Sequence, residues 1–367
     1  MKILILRLSS LGDIILTQPI VQRLHAVFPE AELHYLTKPQ FAALPEYFGV
    51  PLENGLPNSD LAGGETEFST PFSGNGSVQF NQGSLVVIPY LRTSEQHATL
   101  QNTGYDFVFD LHAKFSTYIL QLFTYKSKHF TYNKQHLLRR RIVSHKTDQS
   151  ISSTLDSYAT ALQKAAVALS LPHLGEPLPF PRLTLPAWDC TPFLPKEAFP
   201  AGKRIVALFP GATHFTKMYP VQRFIEVING MGEGYCFWLL GSGDEQALTR
   251  FIAERTAGRS IDLAGKFSLE QLPYIFDKAD IVLTNDSGPM HIAAALGKKQ
   301  VAIFGSTHPR LGFAPLNDQA MVLCSNVSCQ PCSLHGLAAC PRKHFACMMS
   351  IEPEQVITSI YDHLKMR

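Results

Sequence analysis

No apolar run in this 367-residue chain approaches the roughly 20 residues that a membrane-crossing helix needs. The opening Met1–Arg7 has a short apolar centre. Asp13 follows too soon and no small-residue cleavage site is evident, so the segment reads as a strand and not as a signal peptide. A cytoplasmic protein is the expectation. The turn after that strand lacks the G-x-G-x-x-G fingerprint, which argues against a nicotinamide or flavin enzyme. An excess of one charge is lacking too. The 32 Lys and Arg against 30 Asp and Glu leave a net +2, so the chain as a whole does not read as a nucleic-acid binder. Cysteine is scarce outside one region: of seven, five fall between Cys324 and Cys347. In a reducing compartment that clustering favours a metal site or plain thiols over disulfides.

What is present is a chain long enough for two domains, in two similar halves. Each half opens with a strand, a polar turn and a helix. The first starts with a strand at Lys2–Arg7 and a helical pattern running to Phe28, in which Pro19 demands a kink or a later start. Strands follow at Ala31–Leu36 and Tyr105–Leu111, and an Ala-rich helix at Ser152–Leu169. Prolines then recur from Pro172 to Pro200, which marks residues 172–200 as the interdomain linker. The second half restarts at Arg204 and alternates strands and helices with short turns. That alternation predicts an α/β fold with parallel, doubly wound sheets. Residues 49–84 are rich in Gly, Ser, Asn and Pro and read as a long mobile loop, passive rather than an acceptor lid.

Open α/β sheets bind ligands at the carboxyl ends of their strands. Five polar turns fall at such ends. The first holds Ser10, Gly12 and Asp13. The carboxylate of Asp13 reads either as a helix cap or as an acceptor for a hydroxyl proton. The second contains Gly211, Thr213, Thr216 and Lys217. Here a ligand can approach Gly211 closely and the lysine can neutralise a phosphate. The third carries Asp244 and Glu245, suited to ribose hydroxyls or to helix capping. In the fourth, Asn285-Asp286-Ser287-Gly288-Pro289-Met290-His291 leads from a buried strand into a small-residue helix. Free N–H groups and the positive end of the helix dipole at that point suit a diphosphate. Phe304-Gly305-Ser306-Thr307 repeats the small, hydroxyl-rich pattern at the next strand end.

Taken in order, Ser9-Ser10-Leu11-Gly12-Asp13, Pro210-Gly211-Ala212 with Lys217, Asn285-Asp286-Ser287-Gly288 with His291, and Phe304-Gly305-Ser306-Thr307 resemble the ADP-heptose:lipopolysaccharide heptosyltransferases, glycosyltransferase family nine. The resemblance implies a GT-B architecture, with two Rossmann-like domains facing a cleft. Residues 1–171 would bind the acceptor and 201–351 the nucleotide-sugar donor. Residues 352–367 would form a last helix crossing back to the first domain. It implies inverting transfer of heptose from ADP-heptose to the lipopolysaccharide inner core, with no cofactor needed for catalysis. Asp13 would be the general base and Lys217 the lysine meeting the donor phosphates. Gly211, Thr213, Thr216, Asp286, Ser287, Gly288, Met290 and His291 would line the donor site. Asp244 or Glu245 would hold the ribose. Ser10 and Gly12 fall on the acceptor side. Met218-Tyr219-Pro220 stands where Trp-Pro is usual after the lysine. A transferase of another nucleotide-sugar and a non-catalytic nucleotide-sugar-binding protein are the alternatives.

Two further features remain. The spacing Cys329-x2-Cys332-x7-Cys340-x6-Cys347 opens with a metal-knuckle pair, while the second pair matches no standard finger. A structural Zn or Fe on Cys329, Cys332, Cys340 and Cys347 therefore competes with reduced thiols. From Lys126 to Lys146 there are seven basic residues and no acid. In the acceptor half such a stretch, Arg139, Arg140 and Arg141 above all, suits the anionic groups of a glycolipid acceptor or of the inner-membrane surface.

Overall fold

A computed structural model describes residues 1–51, 84–256 and 258–365. All but the edges of the loop expected at 49–84 lie outside the described residues. The first half runs β1 (Lys2–Leu6), α1 (Leu11–Ile15), α2 (Gln18–Val27), β2 (Glu32–Thr37), β3 (Leu85–Pro89), α3 (Ser94–Thr103), β4 (Phe107–Asp110), α4 (Phe115–Phe123), β5 (Lys128–Thr131), α5 (His136–Val143) and α6 (Thr154–Leu169). Its strands are parallel in the order β3-β2-β1-β4-β5. Ile3 to Leu6 are all fully buried, because helices cover both faces of a parallel sheet. The break expected near Pro19 falls at Leu16–Thr17, where the Thr17 hydroxyl donates to the Ile14 carbonyl at 2.7 Å. Pro19 sits in the first turn of α2, where its missing N–H costs little.

The second half runs β6 (Arg204–Phe209), α7 (Val221–Gly230), β7 (Tyr235–Leu239), α8 (Gln246–Arg255), β8 (Ser260–Asp262), α9 (Leu272–Lys278), β9 (Ile281–Asn285), α10 (Gly288–Ala295), β10 (Gln300–Phe304), β11 (Ala320–Cys324), α11 (Ala346–Met349) and α12 (Pro353–Lys365). Its parallel sheet has the order β11-β10-β9-β6-β7-β8. Numbered within the half, that is the dinucleotide-fold order with β6 and β9 flanking the topological switch point. In the first sheet the switch point lies between β1 and β4.

The proline-rich segment touches both halves. The Arg182 N–H donates to the Gln18 side chain, the Leu183 N–H to Ala295 and the Thr184 N–H to Tyr47. Trp238, fully buried, donates its indole N–H to the Ala198 carbonyl at 2.9 Å. One apolar cluster runs through both sheets, from Ile3 and Phe109 to Trp238 and Ile275.

The terminal helix departs from the expectation. α12 packs on α7 and β10 of its own half. Val356 and Ile360 join the cluster of Phe224, Val227 and Ile228, and the Tyr361 hydroxyl accepts from the Gly232 N–H at 3.0 Å. Among the described residues its apolar face is thus spent within the second half.

Candidate active site

The two switch points face each other across a cleft of about 880 Å³. From the first half it is lined by the turn after β1 (Ser10, Gly12, Asp13), the turn after β4 (His112, Lys114) and Arg7, Lys134, Arg139 and Tyr158. The second half supplies Gly211, Thr213, Lys217, Asp244, Glu245, Asp286, Ser287, Gly288 and His291. Direct contact closes one end, as α1 packs on the start of α10. A Cβ on Gly12 would fall 2.3 Å from the His291 ring, and one on Gly288 would fall 2.6 Å from Leu11. Both glycines serve the close approach of the two domains.

Asp13 is at once a cap and a cleft residue. Its Oδ2 accepts from the Ser10 N–H at 3.2 Å and the Ser10 hydroxyl at 2.8 Å, and pairs with the Arg7 guanidinium. Its Oδ1 accepts from the Tyr158 hydroxyl at 2.8 Å. Burial alone would raise this carboxyl. The Arg7 charge and the hydrogen bonds from Tyr158 and Ser10 outweigh it and hold Asp13 well below the usual carboxylate range. Arg7 is only 5% exposed and is itself anchored to the Leu111 carbonyl at 2.5 Å. Neither Arg7 nor Tyr158 is marked by the sequence. Arg7 is the last residue of an apolar run, and Tyr158 lies 145 positions from its partner.

On the second-half wall, Lys217 Nζ stands 3.0 Å from Asp286 Oδ2, which also accepts from the Thr307 hydroxyl at 2.6 Å. Asp286 thus positions the lysine and does not itself offer a donor to phosphate. Asn285 ties the turn together: its side-chain amide donates to the Pro210 carbonyl at 2.7 Å and its oxygen accepts from the Tyr219 N–H at 2.9 Å. Ser287 stands at the N-cap position of α10 with its hydroxyl donating to the Asn285 carbonyl at 3.3 Å and making no cap bond, and the N–H groups of the first turn have no helical partner. His291 is buried against Gly12, and its Nδ1 has no partner among the described residues. Burial lowers its pKa, keeping the ring neutral.

Several expected donor residues make contacts within the second half. Thr216 is buried: its hydroxyl is 2.7 Å from that of Ser306 and accepts from the Leu337 N–H at 2.8 Å, so it does not reach the cleft. The Met290 side chain packs with Ala302 and Phe304, leaving only its backbone N–H at the helix start. The space beside Gly211 is filled by the Glu245 carboxylate, since a Cβ there would fall 1.5 Å from its Oε1. Glu245 Oε2 in turn accepts from the Ser242 N–H and hydroxyl at 2.7 and 3.0 Å. Asp244 is exposed at the cleft edge.

The basic stretch divides. Arg139 is buried at the cleft, its guanidinium 4.9 Å from the Phe313 ring, with Nε and one Nη unpartnered among the described residues. Arg140 and Arg141 point to solvent and do not line the cleft. One helical step of about 100° separates a site residue from a surface one. Lys134 also faces the cleft, its pKa pushed down to about 8 by burial and by Arg7 and Lys114. Burial, with the same cations, lowers His112 to about 3. The first-half wall is therefore cationic around one carboxylate.

The cysteine segment folds over the end of β10. Gln330 donates to the carbonyls of Gly305 and Thr307, the Cys332 N–H donates to Ser306, and Leu334 and His335 reach the cleft. Burial, with the neighbouring thiols Cys332, Cys329 and Cys340, pushes the Cys347 thiol up to about 12. Among the described residues no group of three or more His, Cys, Asp or Glu side chains is arranged to hold a metal ion. The Zn or Fe expectation for Cys329, Cys332, Cys340 and Cys347 thus lacks ligand geometry, and the loop's visible work is to brace the turns at Thr216 and Ser306.

The pattern that defines glycosyltransferase family 9 (heptosyltransferase) matches residues 95–338, well over half the chain. Lipooligosaccharide heptosyltransferase 2 of Campylobacter jejuni is 32% identical over 169 residues, covering 45% of this chain and 52% of that protein. The chain spans about half the length of the curated relatives it matches. E. coli ADP-heptose lps heptosyltransferase II shares the fold with a TM-score of 0.70 at 20% identity, over 99% of this chain and 98% of that one. An E. coli heptosyltransferase solved with ADP gives 0.61 at 18%, over 99% and 100%. The two facing Rossmann-like domains are a GT-B fold. On this match the chain belongs to glycosyltransferase family 9, the heptosyltransferases.

Proposed function

We propose that the protein is an inverting glycosyltransferase that moves heptose from ADP-heptose to an anionic glycolipid acceptor, the lipopolysaccharide inner core, on the cytoplasmic side of the inner membrane. One observation carries the reading. A carboxylate at the first switch point and a lysine beside a helix start at the second line the same cleft.

The acceptor hydroxyl attacks the anomeric carbon from the Asp13 side. The new C–O bond forms as the bond to the diphosphate breaks, and the hydroxyl proton passes to Asp13. Oδ2 is filled by Arg7 and Ser10, whereas Oδ1 has Tyr158 and a second lone pair for the acceptor. A weakly basic carboxylate suits this step if the proton moves late, when the attacking oxygen has become acidic. Arg7 and Tyr158 are positioning residues that keep Asp13 ionised and aimed. The departing ADP gains negative charge, which Lys217 and the free N–H groups of α10 stabilise. Lys217 swings from Asp286 to phosphate over a short distance. Asp244 takes the ribose, since Glu245 is engaged by Ser242. On the acceptor wall, Arg139, Lys134 and Lys114 meet carboxylate or phosphate groups. The C. jejuni relative's name and the ADP-bound neighbour support the donor and acceptor chosen here.

A donor screen tests this. Release of ADP from ADP-heptose in the presence of inner-core acceptor is expected, with little release from UDP- or GDP-sugars. A preference for another nucleotide-sugar would replace the donor, and binding without turnover would make the protein a non-catalytic relative.

A further inference from the structure

Helix α4 is apolar on the wrong side. Its inward positions include Thr117 and Leu120, with Gln121 donating to the buried Asp110 carboxylate at 2.9 Å. Its outward positions follow the helical spacing 115, 118, 119, 122. They are Phe115 at 80%, Tyr118 at 50%, Ile119 at 38% and Leu122 at 70% exposure. Tyr125 continues the stripe at 63%, and Leu137, at the start of α5, is 77% exposed. A globular helix turns such a stripe to the core, and contiguous exposed apolar surface marks an interaction site.

The surrounding charge identifies the partner. Between Asp110 and Asp148 the sequence has Lys114, Lys126, Lys128, Lys134, Arg139, Arg140, Arg141 and Lys146 and no carboxylate. Lys126, Lys128, Arg140 and Arg141 are all exposed. The neighbouring α3 adds one acid, Glu95. Aromatic and aliphatic side chains ringed by cations match a negatively charged lipid surface, where the apolar face enters the headgroup boundary and the cations meet phosphates. The location agrees. Tyr118 of α4 and His136 of α5 share a pocket of about 360 Å³ with Lys134, and Lys134 also lines the cleft. The apolar face therefore adjoins the acceptor end of the cleft.

We propose that the α4 face, with the start of α5, docks the protein on an anionic lipid bilayer. Phe115, Ile119 and Leu122 enter the interface, and Lys126, Lys128, Arg140 and Arg141 contact lipid phosphates. The inference rests on the proposed glycolipid acceptor only for why a membrane is the partner, and its readout needs no turnover.

Co-sedimentation of the full chain with phosphatidylglycerol–phosphatidylcholine vesicles tests it, against phosphatidylcholine alone. The protein is expected to bind the anionic vesicles. Leu122→Glu is expected to lower the partition coefficient at least about tenfold, and Lys126→Glu with Lys128→Glu by a similar factor. Phe115→Ser is the second apolar variant should Leu122→Glu fold poorly. ADP release with a water-soluble inner-core oligosaccharide should be unchanged in these variants, since none of the four residues lines the cleft. The proposal is overturned if the unaltered protein ignores anionic vesicles, binds neutral ones equally, or loses nothing on either apolar substitution. It is also overturned if the face proves to be a dimer contact that Leu122→Glu splits in size-exclusion chromatography. Vesicle binding without any ADP release would sink the proposed reaction and leave the surface standing.

Discussion

Replacing Arg7 by Met removes a charge while keeping the length of the side chain, and it tests how the proposed base is held. Asp13 would keep the hydrogen bonds from Tyr158 and Ser10 but lose its only ion-pair partner among the described residues. Breaking a buried pair by removing one partner costs about 3–5 kcal/mol. Asp13 retains 26% side-chain exposure, so the lower end, about 3 kcal/mol, is appropriate. For a domain of this size that is a loss of roughly 6–12 °C in Tm. The same change lets burial dominate the Asp13 carboxyl, whose pKa then moves up. The proposed base works only when ionised, so activity is expected to fall as pH drops through the Asp13 pKa. In the unaltered protein that pKa is well below the usual range, and no acid limb from Asp13 is expected between pH 5 and 7 on the scale of ordinary carboxylates near 4 (about 3.9 for Asp). In Arg7→Met an acid limb should enter the kcat/KM profile on the neutral side of that value. Adding Asp13→Asn should recover part of the lost Tm, because an amide needs no counter-charge. An unchanged acid limb together with an unchanged Tm would refute the pairing of Arg7 with the base.

Asp13→Asn alone should cut turnover by about 10²–10⁴-fold while calorimetry shows ADP affinity nearly unchanged. Lys217→Ala should weaken ADP binding as well as turnover, and Asp286→Asn, which frees the lysine and disturbs only the Thr307 hydrogen bond besides, should weaken it less. Arg139→Ser should raise acceptor KM about tenfold and flatten its rise with ionic strength, while Arg140→Ser and Arg141→Ser leave KM for a soluble acceptor near that of the unaltered protein. Lys134 is protonated below about pH 8 and neutral above it, so acceptor kcat/KM should fall as pH rises through that value, and Lys134→Met should lose this limb. Cys347, buried with its thiol pushed up to about 12, should resist iodoacetamide at pH 8 while the half-buried Cys329 and Cys340 are alkylated, as read by peptide mass spectrometry.

The sequence by itself determined the two-half α/β plan and the places where chemistry sits. Parallel strands buried on both faces are near-continuous apolar runs, and β6 starts at Arg204, where the second half was expected to restart. Polar turns at their ends are local features, so Asp13, Lys217 and the start of α10 were readable as cleft residues. Elements whose pattern is inverted or short were not readable. β5 and α5 hide in the basic stretch, and α4 carries its apolar stripe outward. Only the tertiary structure decided which neighbours each turn acquires. The Arg7–Asp13–Tyr158 group joins a strand end to a helix far along the chain. Thr216 is drawn inward by Leu337, Gly211 is covered by Glu245, and α12 stays with α7 because its apolar face fits there. Arg139, Arg140 and Arg141 are alike as sequence. Helical rotation and the packing of α5 over Phe313 turn the first toward the cleft and leave the other two in solvent, and no local pattern of charge carries that information.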